Sequence, residues 1–167
     1  MYKRQVIILG AGGASNAITY ICADKGAAKI YLLNRTFDKA KKLADDVNSH
    51  FGDVVVPLAI SDYRLIPEGK YPVIQTTSCG LYPHNDDAPI YDKEFYELVE
   101  AGVDIIFNPA KTMFMKLCKE SGARAYNGLK MLLYQGIAAF ELWNDIKVPK
   151  NLADKILGMM KRKLKES

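Results

Sequence analysis

The sequence predicts an α/β fold built on a doubly wound parallel sheet of about six strands, with two additional C-terminal helices. Three observations support this prediction. A short apolar run at 5–9 leads directly into a glycine-rich turn, similar runs alternate with helical patterns as far as residue 126, and two long segments at 130–143 and 149–164 repeat apolar residues at helical spacing. Because strands and helices alternate, the sheet is expected to be parallel and covered on both faces.

Each strand and helix of this prediction rests on a local pattern. Apolar or β-branched runs predict strands at about 5–9, 29–34, 54–58, 71–75, 103–107 and 124–126. Helical periodicity predicts helices at about 13–25, 36–50, 92–100 and 112–121, and a polar connector is expected at 61–70. The third strand contains Pro57, which cannot donate to a sheet ladder, so this strand is expected at an edge of the sheet.

The turn after the first strand has the composition of a phosphate-binding loop. A glycine lets the backbone approach an anion closely, and the N–H groups and dipole of a helix N-terminus favour negative charge. Gly10 is expected to make the tight turn and Gly12 to admit a diphosphate, while Gly13 and Ala14 would begin the helix, as in a Rossmann-like dinucleotide-binding unit. Ser15 stands where the third glycine of that motif is usual, so an ordinary strand-to-helix turn is the alternative.

Residues after the second strand indicate which dinucleotide would bind. NAD sites usually place an acidic residue at this strand end, whereas sites for the 2′-phosphate of NADP replace it and supply an arginine. Here the strand ends at Asn34, Arg35 follows, Thr36 offers a hydroxyl to cap the next helix, and Lys39 lies one helical turn further on. An arginine can present a bidentate fork to phosphate, and a lysine adds a point charge. The pattern favours NADP(H), and a solvated basic helix start is the alternative.

A hydroxyl-rich loop follows the fourth predicted strand. In a doubly wound sheet this strand lies across the point where the strand order reverses, so its C-terminal loop borders the ligand cleft. Thr77, Ser78 and Gly80 are therefore candidates to line the diphosphate or the nicotinamide ribose. An ordinary loop of serine and glycine is equally compatible with this stretch.

Composition narrows the class of protein. With 167 residues, 49% hydrophobic and 25% charged, the chain suits one α/β domain, and no apolar run approaches the ~20 residues of a membrane span. The three cysteines show no metal-like spacing and no signal-peptide pattern precedes the first strand, so a cytoplasmic location without a metal site is expected. A basic stretch at 161–165 is interpreted as the polar face of the last helix, and nucleic-acid binding is not expected.

Five motifs in order carry a resemblance to a known family. They are Gly10-Ala11-Gly12-Gly13-Ala14, Asn34-Arg35-Thr36 with Lys39, Thr76-Thr77-Ser78-x-Gly80, Asp104-x-x-Phe107-x-Pro109-x-x-Thr112, and Gly128-x-x-Met131-x-x-x-Gln135 with Phe140 and Trp143. In these motifs the chain closely resembles the cofactor-binding half of the shikimate dehydrogenase family, from the first strand to the last helix. The resemblance implies an NADP-dependent oxidoreductase that reversibly reduces 3-dehydroshikimate to shikimate.

The resemblance also implies roles for individual residues in binding the cofactor. Residues 10–14 would hold the diphosphate, and residues 34–39 would hold the adenosine 2′-phosphate. Ile105 and Gly128 would meet the nicotinamide through backbone groups, and Met131 would lie beside the cofactor.

Two further residues are implied in binding the substrate. Phe107 would stand at the substrate edge of the cleft, where the family usually has tyrosine, and Gln135 would hydrogen-bond the substrate. Gln135 falls on the apolar face of the predicted helix 130–143, so we expect it to be buried and either satisfied by neighbours or turned toward a polar ligand. Lys130 also departs from the family, which often has glycine there.

One part of the family pattern is absent. Members of the family begin with a separate domain whose catalytic lysine and aspartate lie in motifs resembling N-x-T-x-P-x-K and G-x-N-T-D, and neither occurs in this sequence. Hydride transfer to a ketone needs a placed proton donor. We therefore expect an NADP-binding domain at 1–127 and helices at 128–167 that would pack against the missing domain. The chain would be a piece of a longer protein, with Met1 an added or internal start, and would bind NADP(H) without turning over shikimate.

Alternative interpretations fit the same residues. A stand-alone NADP-binding module, or one chain of a two-chain dehydrogenase, would carry the same motifs, as would a complete dehydrogenase for quinate or another hydroxy acid. Uncovered apolar faces on the last two helices would tend to find cover. Either self-association through these helices or a mobile last helix is therefore expected.

Overall fold

The computed structural model describes residues 5–166, so Met1 lies outside the described residues. Its strands are β1 (Gln5–Leu9), β2 (Lys29–Asn34), β3 (Val55–Ala59), β4 (Tyr71–Gln75), β5 (Val99–Asp104) and β6 (Arg124–Tyr126). Its α-helices are α1 (Gly13–Asp24), α2 (Phe37–Phe51), α3 (Lys93–Glu97), α4 (Met113–Glu120), α5 (Leu129–Asn144) and α6 (Lys150–Glu166). A 3-10 helix, Ile60–Leu65, lies in the connector before β4.

The strands form one parallel sheet in the order β3-β2-β1-β4-β5-β6. From β1 the chain adds β2 and β3 on one side, and it then returns to add β4, β5 and β6 on the other side. The predicted doubly wound α/β fold is therefore confirmed. The strand that contains Pro57 lies at an edge of the sheet, as predicted. Because all strands are parallel, the loops after β1, β4 and β5 lie together at the carboxyl ends of the strands, where ligands of such folds bind.

Alternate residues of β1 pack on opposite faces of the sheet. Ile8 is fully buried in a cluster that includes the predicted apolar stripe of α2: Ala40, Leu43, Ala44 and Val47. Ile7 is fully buried in the other cluster, with Phe95, Tyr96 and Phe114 from α3 and α4. Fully burying a side chain of this size contributes roughly 1.5–3 kcal/mol, so both covered faces stabilise the strand that carries the glycine-rich loop.

The sequence prediction is wrong for the region of α3 and β5. The helix predicted at 92–100 is much shorter, and the strand predicted at 103–107 begins earlier, immediately after that helix. Acidic residues suggested an exposed helix face, but Glu100 lies in the strand and its Oε1 is 3.4 Å from Nη2 of Arg124 on β6. The exposed charges here belong to a sheet surface.

Gly102 determines how closely α4 packs on β5. A Cβ at this residue would lie 2.6 Å from Sγ of Cys118 and 3.0 Å from the ring of Phe114. Only a residue without a side chain lets α4 pack this closely on the sheet.

The last two helices are less covered than the sheet. Helix α6 packs on α5, and Ala153 is buried there, whereas Leu142 and Trp143 of α5 are 81% and 80% exposed. Among residues 5–166, no helix combines the length and apolar character needed to cross a membrane. In the same range no group of His, Cys, Asp and Glu side chains could hold a metal ion.

Candidate functional site

The loop after β1 is fixed at its first glycine by contacts with neighbouring residues of the chain. Gly10 donates its N–H to the carbonyl oxygen of Leu33 at 2.7 Å, with a φ of +107° that side-chain-bearing residues rarely adopt. A Cβ at Gly10 would lie 2.6 Å from Oγ1 of Thr76, which itself donates to the carbonyl oxygen of Leu9 at 2.7 Å. Glycine is therefore required both by the turn and by the meeting of the loops after β1 and β4.

Ser15 stabilises the same loop by a hydrogen bond on its buried side. Its side chain is fully buried, and its Oγ donates to the carbonyl oxygen of Gly10 at 2.6 Å. Ser15 was not among the predicted site residues. The signal that could have identified it is a hydroxyl at the position of the usual third glycine, because such a hydroxyl can hydrogen-bond the turn that it follows.

Gly12 and Gly13 face open space. Gly12 is extended, with φ −94° and ψ −169°, and a Cβ at either residue would meet no atom within 4 Å. The packing of the protein therefore does not require glycine at these two positions. Ala14 is exposed and Ala11 half-buried beside them. Because the first N–H groups of a helix have no partner inside it, this bare backbone offers donors to an anion.

A cavity of about 450 Å³ joins this loop to α2. We call it the α1–α2 cavity, and its lining residues are Ala11, Gly12, Gly13, Asn16, Lys39, Lys42, Leu43 and Asp46. The structure thus brings the predicted Lys39 to the glycine-rich loop. Asn16 and Lys42 were not predicted; Lys42 could have been identified because residues three apart share a helix face.

The predicted segment after β2 lies next to the same loop, since Leu33 pairs with Leu9 in the sheet. Nδ2 of Asn34 donates to the carbonyl oxygen of Thr36 at 2.8 Å, so this side chain shapes the turn. The hydroxyl of Thr36 makes no capping hydrogen bond, and the predicted side-chain cap is wrong. Arg35 is exposed, and within residues 5–166 its guanidinium has no hydrogen-bond or ion-pair partner.

Gln75 organises the loop after β4. Its buried side chain donates from Nε2 to the carbonyl oxygen of Cys79 at 3.1 Å and accepts the N–H of Thr77. The methyl group of Thr77 would lie 3.0 Å from a Cβ on Gly10, so Thr77 stands beside the glycine-rich loop. Ser78 is exposed in the same loop.

Gly80, the third predicted residue of this loop, is buried. Its φ is +93°, and a Cβ would lie 3.2 Å from Cβ of Thr112 and 3.3 Å from the carbonyl oxygen of Asp87. Backbone conformation and packing account for this glycine. Its contact with a cofactor stays a prediction.

Ile105 and Gly128 are in direct backbone contact. A Cβ at Gly128 would overlap the carbonyl oxygen of Ile105, and the N–H of Gly128 donates to the carbonyl oxygen of Ile106 at 2.9 Å. The φ of Gly128 is −74°, which any residue can adopt, so the close approach alone requires glycine. The structure therefore brings together the two residues predicted to present backbone groups to the nicotinamide.

A buried carboxylate supports this contact. Asp104 accepts hydrogen bonds from Oγ1 of Thr112 at 2.6 Å, the N–H of Ile106 at 2.9 Å and Nε2 of Gln75 at 3.4 Å. Burial raises the pKa of Asp104 above its usual value, and these hydrogen bonds oppose the rise. Because its oxygens are engaged inside the protein, Asp104 positions the loop 105–112.

The remaining predicted residues lie near or along α5. Phe107 is half-buried, and Met131 is 47% exposed. Gln135 is exposed, and its Nε2 donates to the carbonyl oxygen of Leu132 in its own helix at 3.1 Å. The expected burial of Gln135 is wrong, because the apolar face of α5 borders an open groove of about 490 Å³ against α6. The substrate contacts of Phe107 and Gln135 stay predictions.

Known protein families match both ends of the chain. The family model described as Shikimate / quinate 5-dehydrogenase matches residues 1–62, and that of the Shikimate 5′-dehydrogenase C-terminal domain matches residues 128–155. A curated shikimate dehydrogenase (NADP(+)) from Carboxydothermus hydrogenoformans is 36% identical over 156 residues, which are 93% of this chain and 55% of that protein. The chain belongs to the shikimate dehydrogenase family. It spans about half the length of the curated relatives it matches.

Solved structures of the shikimate dehydrogenase family share the fold. One, a shikimate dehydrogenase in complex with NADP⁺, is 30% identical with a TM-score of 0.78, and the match covers 94% of this chain and 54% of that one. Another, shikimate 5-dehydrogenase from Listeria monocytogenes in complex with shikimate and NAD, is 27% identical with a TM-score of 0.80, covering 93% and 56%. The resemblance predicted from the sequence motifs is confirmed.

Proposed function

We propose that this chain is the cofactor-binding half of a shikimate dehydrogenase and that it binds NADP(H). The observation that carries the proposal is the α1–α2 cavity, in which open glycine backbone faces lysines of α2. The first-turn N–H groups of α1 attract a diphosphate, and Gly12 and Gly13 leave its approach free. We therefore assign the diphosphate to residues 10–14.

The residues after β2 supply the preference for a phosphorylated adenosine. In an NAD site an acidic residue would stand at this strand end to bind the ribose hydroxyls. Asn34 stands there instead and shapes the turn, and the guanidinium of Arg35 lies exposed beside it. We assign the 2′-phosphate to Asn34, Arg35, Thr36 and Lys39. The relative named for NADP(+) and the neighbour solved with NADP⁺ support this assignment.

The nicotinamide end of the cofactor is assigned to the loops after β4 and β5. Ile105 and Gly128 present adjoining backbone groups there, and Asp104 fixes the segment between them and α4. Thr77, Ser78 and Gly80 would border the diphosphate and ribose, and Met131 would lie on the side of α5. When bound, NADP(H) supplies or accepts the hydride; these residues hold and orient it.

The proposed substrates are shikimate and 3-dehydroshikimate, which Phe107 and Gln135 would contact. Reduction of the ketone needs a proton donor at the carbonyl oxygen. Asp104 is the carboxyl group closest in sequence to the Ile105 contact, but it is buried and engaged by Thr112 and Ile106. We propose that the donor belongs to the domain whose motifs this sequence lacks. On this proposal residues 1–127 bind NADP(H), and residues 128–167 pack against that domain.

Titration with NADPH and NADH side by side tests the cofactor assignment. We expect NADPH to bind about tenfold tighter or more, because the 2′-phosphate adds charge-assisted hydrogen bonds. The double variant Arg35→Gln, Lys39→Gln should lose this preference while NADH affinity stays unchanged. Equal affinity for the two cofactors, or a preference that survives the double substitution, would contradict the assignment.

Steady-state assays with shikimate and NADP⁺ test the reaction. We expect no turnover from this chain alone. Rates in the ordinary enzyme range, roughly 1–10³ per second, would contradict this expectation and favour a complete dehydrogenase. Quinate assayed in parallel distinguishes a different specificity. Turnover that appears only after mixing with a separate polypeptide carrying the lysine and aspartate motifs would favour a two-chain enzyme.

A further inference from the structure

The α1–α2 cavity contains two opposite charges that do not pair. Lys42 and Asp46 lie four residues apart on α2 and both line the cavity. Lysine and aspartate at this spacing can form an ion pair across one helical turn. The pair one residue earlier does so, because Nζ of Lys41 lies 2.8 Å from Oδ2 of Asp45. Within the part of the chain that the structure describes, the side chain of Lys42 has no hydrogen bond or ion pair.

The two pairs differ in a contact that Tyr20 on α1 makes with the second. Its hydroxyl donates to Oδ2 of Asp46 at 2.8 Å. Its ring contacts the rings of His50 and Phe51, with centroids 5.8 and 5.9 Å apart, so Tyr20 is held from a second direction. The hydrogen bond to Asp46 raises the pKa of Tyr20, and the hydroxyl therefore stays protonated and able to donate. One carboxylate oxygen of Asp46 is thus engaged by α1, and among the described residues Asp46 forms no ion pair with Lys42.

We infer that Lys42 is an additional phosphate-binding residue of the proposed NADP(H) site, and that Tyr20 keeps Lys42 available by engaging Asp46. The inference rests on the proposed function. Lys39 and Lys42 share a face of α2, the helix that follows the strand end where the adenosine ribose binds. We therefore assign the 2′-phosphate to both lysines and the diphosphate to the start of α1.

The charges in the cavity support this division of roles. A 2′-phosphate carries up to two negative charges, so a second ammonium group strengthens its binding. A carboxylate in the same cavity opposes the phosphate, and an ion pair with that carboxylate would cancel the charge of Lys42. The hydrogen bond from Tyr20 prevents this cancellation without adding a charge. Since Lys39, Lys42 and Asp46 are exposed, their effect on phosphate binding is expected to weaken with added salt.

Binding of NADPH and NADH to matched variants tests the role of Lys42. Lys42→Gln should weaken NADPH binding about threefold to tenfold and leave NADH binding unchanged, with the difference shrinking at high salt. Lys41→Gln is the control, because Lys41 is paired with Asp45 and does not line the cavity. It should change neither affinity by more than about twofold. Unchanged NADPH affinity in Lys42→Gln, or an equal loss for both cofactors, would overturn the assignment.

A double-mutant cycle tests the role of Tyr20 as a positioning residue. Tyr20→Phe frees Asp46 to pair with Lys42 and should weaken NADPH binding about twofold to fivefold, with no effect on NADH. Asp46→Asn in the Tyr20→Phe background should restore NADPH affinity, because the asparagine cannot neutralise Lys42. A loss in Tyr20→Phe that Asp46→Asn does not restore, or no loss at all, would overturn this role. If the unsubstituted protein prefers NADPH and Lys42→Gln does not alter that preference, only this inference fails. If the unsubstituted protein binds neither cofactor, the proposed function fails.

Discussion

Two concave surfaces of similar size are built in opposite ways in this molecule. The α1–α2 cavity, of about 450 Å³, is lined by glycine backbone, an amide, three charged side chains and the apolar Ala11 and Leu43. The groove between α5 and α6, of about 490 Å³, is lined by aliphatic side chains, Phe140 and Met160, with Gln135 as its polar side chain among the described residues. The first surface stands on a sheet buried on both faces, whereas the second lies between two helices that pack on each other.

The two surfaces differ in how much of the proposed site this chain supplies by itself. In the cavity the protein already supplies what an anion needs, namely free N–H groups and cations held by rigid elements. In the groove it supplies apolar area without a cover, and exposed apolar area of this kind marks an interaction surface. On the proposed function, this chain would supply the cofactor half of the site, whereas the substrate half would depend on what covers α5 and α6. Four experiments test this contrast.

The largest effect is expected at the junction of the two regions. Gly128→Ala places a Cβ onto the carbonyl oxygen of Ile105, so the start of α5 must move away from β5. We expect the free energy of unfolding in urea to fall by about 2–4 kcal/mol. Gly136→Ala is the matched control, since a Cβ there meets no atom within 4 Å and alanine favours a helix by up to about 1 kcal/mol. Equal effects of the two substitutions would contradict the close contact.

A smaller loss of stability is expected at Gly10 of the loop after β1, where packing requires glycine, than at Gly128. At Gly12, where packing does not require glycine, almost no loss is expected. Gly10→Ala meets Oγ1 of Thr76 at an unfavourable φ, so we expect a loss of about 1–3 kcal/mol in stability. Gly12→Ala should leave stability within about 0.5 kcal/mol, because its Cβ enters open space. It should nevertheless weaken NADPH and NADH alike, because that space is where the diphosphate would lie. Unfolding curves and titrations on both variants check this; unchanged binding in Gly12→Ala would contradict the diphosphate assignment.

Ser15→Ala tests how much the hydrogen bond from Ser15 stabilises the loop after β1. The substitution removes the donor to the buried carbonyl oxygen of Gly10, so stability should fall by about 1–2 kcal/mol. Ser78→Ala, in an exposed loop, serves as the comparison and should change stability by less than about 0.5 kcal/mol. A stability loss of similar size in both variants would show that Ser15 has no special place in the turn.

The smallest effect on stability is expected on α5. Leu142 and Trp143 are almost fully exposed, so Leu142→Gln with Trp143→Gln should leave the unfolding free energy nearly unchanged. If the uncovered helices associate, sedimentation at rising concentration should show dimers or larger species for the unsubstituted protein and fewer for the variant. A monomer at all concentrations in both would contradict the expected self-association.

Several features could be predicted from local sequence because they follow from local physics. The strand 5–9, the glycine-rich turn and the stripe of α2 were predicted correctly, since a buried strand, a turn with positive φ and an amphipathic helix each need a characteristic residue pattern. The cations Arg35 and Lys39 were identified as site candidates because their position relative to a strand end has a fixed meaning in a doubly wound sheet.

Other features depend on contacts between distant parts of the chain. The limits of β5 were missed because the acidic run at 92–100 was interpreted as a helix, and no local pattern records that Gly102 packs against Phe114 and Cys118. The exposure of Gln135 was missed because a helix pattern shows which residues share a face and leaves open what covers that face. Ser15 was overlooked because a serine in place of the third glycine was interpreted as a departure from the motif. Its hydrogen bond to the carbonyl oxygen of Gly10 is visible only in the structure.

Local sequence was enough to predict the α/β fold, the order of its elements and the chemistry of the loop after β1, because these follow from periodicity, glycine and charge. The folded structure was needed to show that Gly128 meets Ile105, that buried Asp104 accepts from Thr112, and that Tyr20 donates to Asp46. Each of these contacts joins residues from different elements, and such pairings arise only when the sheet and helices pack together.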